Sequence, residues 1–72
     1  MTKIEAAKKL EEMTLSSTDK NIVGFLKFYL NGGVEKALEG GKTLDQLFTL
    51  AESKGVVFPA ELKACMQAIF TQ

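Results

Sequence analysis

The sequence predicts an all-α fold: a small bundle of four to five short helices around one core, with residues 1–72 as a single domain. Three observations predict it. Two segments begin with capping boxes, apolar residues recur at helical rather than strand spacing, and Gly or Pro stands at the joints between segments.

The first helix opens at Thr2-Lys3-Ile4-Glu5, where a Thr hydroxyl and a Glu three residues later satisfy each other's backbone N–H. It is expected to run to about Met13, with Ile4, Ala7, Leu10 and Met13 inward and Lys3, Glu5, Lys8, Lys9, Glu11 and Glu12 outward or flanking. Glu5 and Lys9 form an i,i+4 pair in the favourable order. Ser16-Ser17-Thr18-Asp19 then stops this helix and caps the next.

Residues 21–30, NIVGFLKFYL, are rich in β-branched and aromatic side chains, which also favour strands. The small and polar positions decide for a helix: Lys20, Gly24, Lys27 and Asn31 recur at i, i+4, i+7 and i+11, one helical stripe, and do not alternate at period two. Asn31-Gly32-Gly33 ends it, and a short helix is expected from Val34 to Glu39. Thr43-Leu44-Asp45-Gln46 is the second capping box, followed by the stripe Leu44, Leu47, Phe48, Ala51 and a stop at Gly55. Pro59 suits a first helical position, and Leu62, Cys65, Met66, Ile69 and Phe70 form the last stripe.

The pentapeptide Glu39-Gly40-Gly41-Lys42-Thr43 ends like a phosphate-binding loop. Such a loop needs a further Gly five positions before Gly41, after a strand. Residue 36 is Lys36 and the preceding segment reads as helix, so the pentapeptide is expected to be a helix stop followed by a helix start.

Nine basic residues, all Lys, balance nine acidic ones, so the net charge is zero and Arg is absent. Arg is the preferred grip on phosphate and guanine, and a neutral, Arg-free domain lacks the footprint of a nucleic-acid binder. No basic run holds it to an anionic membrane, and no apolar run reaches the roughly 18 residues of a membrane span. With no signal segment and one cysteine, a soluble cytoplasmic protein is expected. The absence of His removes the commonest metal ligand and general base. No cofactor, metal or catalytic residue is expected. Cys65, in the last apolar stripe, reads as a small core side chain, with a nucleophile working through it as a remote third reading.

A chain of this size buries only about 60% of the surface its unfolded form exposes. Ile22, Val23, Phe25, Leu26, Phe28, Tyr29 and Leu30 offer more apolar surface on one helix than such a core easily encloses. The expected function is a non-catalytic protein–protein interaction module, an adaptor, inhibitor or recognition domain. Its partner is another protein or, in a homodimer, a second copy meeting at residues 20–31. Phe28, Tyr29, Val23 and Lys27 are the candidate partner-binding residues. The alternative is a helix-turn-helix regulator formed by residues 43–54 and 59–70 and binding nucleic acid through Lys42, Lys54 and Lys63.

The series Phe25-Leu26, Val34-Glu35-Lys36-Ala37-Leu38, Lys42-Thr43-Leu44-Asp45-Gln46-Leu47, Leu50-Ala51-Glu52, Gly55, Phe58 and Glu61-Leu62 resembles the leader-peptide domain of nitrogen-fixation-associated and nitrile-hydratase-like precursor proteins. The likeness spans about residues 25–62. It implies a non-catalytic helical handle recognised by peptide-modifying enzymes. The chain departs from the pattern by its further helix at residues 2–13, and by carrying neither a closing Gly-Gly nor a Cys/Ser/Thr-rich segment after Phe70.

Overall fold

Five helices follow one another in the computed structural model: α1 (Lys3–Ser16), α2 (Lys20–Leu30), α3 (Gly33–Glu39), α4 (Leu44–Ser53) and α5 (Ala60–Phe70). It describes residues 2–70; Met1 and residues 71–72 lie outside it. The helix starts are set by local side chains. Thr2 Oγ1 accepts from the Glu5 N–H at 3.1 Å and Glu5 Oε1 from the Thr2 N–H at 3.2 Å. Thr43 and Gln46 repeat the exchange at 3.1 and 2.9 Å. At α2 the Asp19 carboxylate accepts from the backbone N–H groups of Asn21 and Ile22, each cap of this kind contributing about 1 kcal/mol.

The pentapeptide at residues 39–43 is a helix stop and a helix start. The Gly41 N–H donates to the Leu38 carbonyl and the Lys42 N–H to the Ala37 carbonyl, both at 3.1 Å. This double bond pattern closes α3 with Gly41 at φ +98°, a left-handed conformation that costs a side-chain-bearing residue about 1–2 kcal/mol. Thr43 then caps α4.

Three boundaries differ from expectation. α3 begins one residue earlier than expected, at Gly33, with Gly32 as its N-cap. α1 continues to Ser16, where the Ser17 N–H donates to the Met13 carbonyl at 2.8 Å, and the Thr14 hydroxyl donates to the Leu10 carbonyl within the helix at 2.9 Å. α5 begins one residue later than expected, at Ala60, with the Pro59 carbonyl accepting from the Leu62 and Lys63 N–H groups. The apolar run 21–30 is helical, and no strand occurs among the described residues.

α1 packs against both α5 and α2, α2 against α3, and α3 against α4. The core takes Ala6 and Leu10 from α1, Ile22 and Leu26 from α2, Val34 from α3, Leu44, Leu47 and Phe48 from α4, and Leu62, Cys65 and Met66 from α5. Phe58, in the connection before α5, joins α2 to α4: its ring centroid lies 4.8 Å from that of Phe25 and 5.2 Å from that of Phe48. The Cα radius of gyration, 11.3 Å, is close to the roughly 11 Å of a compact chain this long.

Ile4 does not face inward: it is 82% exposed, and Ala6 takes the buried position. The reason is geometric. A strict i+3 series such as Ile4, Ala7, Leu10, Met13 drifts by about 60° at every step, so its ends lie on opposite sides of the helix, whereas Ala6, Leu10 and Met13 at i, i+4, i+7 stay together. Among the described residues no helix is long and apolar enough to cross a membrane.

Candidate functional site

α2 presents three different sides. Ile22 and Leu26 are buried, Val23, Phe25 and Tyr29 are half-buried, and Phe28 and Leu30 are exposed. The apolar surplus therefore lies at the two edges of the inward stripe instead of on one face, separated on the outside by Lys20, Gly24, Lys27 and Asn31.

On one edge, α2 and α4 enclose a groove of about 230 Å³. Leu47 is buried beneath it and Phe25, Ala51 and Val56 are half-buried in it, while Phe28 and Leu50 stand exposed at 43% and 49%. Asn21 and Lys54 complete the lining, which carries one cation and no anion, and Lys54 forms no ion pair with another described residue. The aromatic cluster supports the groove from below: Phe25 holds Phe48 at 6.0 Å and Phe28 at 6.2 Å between ring centroids. The ring of Phe28 occupies the space that a Cβ at Gly33 would need, so this glycine permits the ring position.

The groove is smaller than the roughly 300–1,000 Å³ of small-molecule pockets, so it suits the side chains of a protein segment better than a cofactor. A larger hollow of about 430 Å³, between Asp45, Gln46, Thr49, Leu50 and Ser53, lies along α4 alone with no second helix to wall it.

The four expected site residues are divided by the fold. Phe28 lines the groove; Val23, Tyr29 and Lys27 do not. Tyr29 belongs to the seam with α5, its ring edge-on to Phe70 at 5.8 Å and 86°. Val23 and Lys27 point away from the Phe28 edge of α2, at azimuths about 140° and 100° from it. Leu50 and Val56 were not expected in a site; Asn21 was expected only within the 20–31 homodimer seam, and Lys54 only in the nucleic-acid alternative. Leu50 had a sequence signal, as an apolar residue outside the Leu44, Leu47, Phe48, Ala51 stripe.

Burial raises the Tyr29 phenol above its ordinary value of about 10, and the Glu11 carboxylate adds to the effect. The unfolded chain then ionises first, so stability is full below pH 10 and falls as pH rises beyond it. Tyrosinate absorbance should give a midpoint above 10 in the folded protein, and the urea midpoint should drop between pH about 9 and about 11 by more than in Tyr29→Phe. A midpoint at or below 10 would contradict the seam position of the ring.

Cys65 is buried, and burial, followed by the Glu61 carboxylate, pushes its thiol up while Lys9 opposes them. A thiol held in its protonated form is a poor nucleophile. On the helix-turn-helix reading, the first turns of α5 would meet the bases. Glu61 there is paired with Lys9 at 3.8 Å, and Lys63 with Glu52 at 3.1 Å, its Nζ also 5.6 Å from the Phe48 ring centroid. Both polar side chains thus serve contacts between helices. Among the described residues no three His, Cys, Asp or Glu side chains converge as a metal site requires. No family model, no curated protein and no solved structure matches the chain.

Proposed function

We propose that this chain is a small non-catalytic protein–protein interaction module, an adaptor, inhibitor or recognition domain of the cytoplasm, which takes an amphipathic helical segment of another protein into the groove between α2 and α4. The observation that carries the reading is the pairing of two exposed apolar side chains, Phe28 and Leu50, across a groove of side-chain dimensions. Aromatic anchors set in apolar grooves dominate interface energies. Lys54, the single charge in the lining, favours a segment that carries a carboxylate at the end of its apolar stripe.

The test is to pan a displayed library of amphipathic helical peptides against the isotope-labelled chain and map the selected peptides by NMR. Peptides with an apolar stripe and a terminal acid should shift the resonances of Phe28, Leu50, Ala51 and Lys54. Selected peptides that shift another face would overturn the proposal. A mixed-sequence DNA duplex at low salt serves as the comparison: shifts at Lys42, Lys54 and Lys63 that vanish with added salt would put the helix-turn-helix regulator in its place.

A further inference from the structure

Among the described residues, the two most exposed large apolar side chains share one stripe of α1. Ile4 and Leu15 are 82% and 89% exposed. Eleven residues apart, they fall within about 20° of one azimuth and about 16 Å of one another along the axis. Lys8 and Glu11 stand between them on the same stripe, and neither forms an ion pair with another described residue. Beside Leu15 lies a hollow of about 280 Å³, lined by Glu11, Thr14 and Leu15 of α1 and by Leu30 of α2. Leu30 is itself exposed.

We propose that this face binds a second copy of the same chain, through two α1 helices packed antiparallel about a two-fold axis that passes between Lys8 and Glu11. In an isologous contact, whatever residue i meets on its partner meets residue i in return. Reversed end to end, the stripe Ile4, Lys8, Glu11, Leu15 is its own complement. Ile4 of each copy enters the hollow at Leu15 and Leu30 of the other, and Lys8 of each copy stands opposite Glu11 of the other. A parallel arrangement would set Lys8 against Lys8 and Glu11 against Glu11, so the charges select the antiparallel one. Of residues 20–31, where the sequence placed a homodimer, this face takes only Leu30, and it leaves the α2–α4 groove open.

The seam is one helix long, about 21 Å for the 14 residues of α1. A single-helix seam of that length covers well under the roughly 800 Å² per partner of a stable complex. The expected dimer is therefore weak, with Kd on the order of 0.1 mM.

Charge exchange tests it by sedimentation equilibrium up to millimolar protein. Lys8→Glu places two carboxylates opposite each other twice over, and Glu11→Lys places two ammonium groups likewise, so each variant alone should self-associate about tenfold more weakly than the parent. Mixed in equal amounts, the two variants should form a heterodimer as tight as the parent homodimer, since every facing pair is again of opposite sign. The double variant Lys8→Glu/Glu11→Lys should also recover. Ile4→Glu should abolish association while leaving the helical circular dichroism intact, because the side chain is on the surface. A parent that stays monomeric at millimolar concentration overturns the proposal, as does a mixture that associates no better than its components.

Discussion

Leu26→Ala is expected to remove most of the stability of this domain. Leu26 is fully buried at the middle of α2, within the core cluster that all five helices share. Replacing a buried Leu with Ala costs about 2–5 kcal/mol, the lost transfer energy plus the cavity left behind. The core of a domain this small seldom supplies more than about 3–5 kcal/mol of net stability. At about 4–8 °C per kcal/mol, the thermal midpoint should fall by at least about 8 °C, and at the upper end of the range the chain will not fold at 37 °C.

Ile4→Ala is the control. It removes a similar amount of hydrocarbon, yet from a side chain 82% exposed, and at micromolar protein should change stability by no more than about 0.5 kcal/mol. Denaturant titrations of both variants decide the point. Equal losses would mean that Ile4 is inside after all, and a loss below about 1 kcal/mol for Leu26→Ala would mean that α2 is not packed as described.

Phe28→Ala should weaken binding of a groove-selected peptide by about 30-fold, the 2 kcal/mol of an aromatic hot spot. Because the ring is 43% exposed, its contribution to folding is only part of a buried aromatic's, and the stability loss should stay near 1 kcal/mol. Affinity and stability are thereby separated at one residue. Gly33→Ala makes the same point with Phe28 intact. The new methyl group would occupy the place of the Phe28 ring, which must swing away, while the better helix propensity of Ala at this first helical position offsets part of the cost. Stability should change little and peptide affinity should fall. If both variants bind the peptide as the parent does, the α2–α4 groove is not where partners dock.

The residues that start helices were legible because their chemistry is local. A capping box needs a Thr and, three positions on, a Glu or Gln; Thr2 with Glu5 and Thr43 with Gln46 supply it whatever the rest of the chain does. The helical state of residues 21–30 was legible from its outer stripe, Lys20, Gly24, Lys27 and Asn31, even though its side chains also favour strands. Periodicity also found the centres of the stripes in α4 and α5. In α1 it failed at Ile4, where an i+3 series was read as one face although it winds around the helix.

The candidate site was less legible, because it is made at the margins of stripes. A residue at the centre of an apolar stripe is buried by any neighbour; one at the edge is buried or exposed according to where the next helix lies. Phe28 and Tyr29 are adjacent in sequence and alike in chemistry, yet Tyr29 is closed against Phe70 while Phe28 stands open beside Leu50. By itself the sequence determined the helices, their caps and the inward centres of most of them, since these depend on contacts within a turn or two. Tertiary structure alone decided which margins meet and which stay open. That choice depends on how α2, α4 and α5 are placed in space, and hence on contacts between residues far apart in the chain.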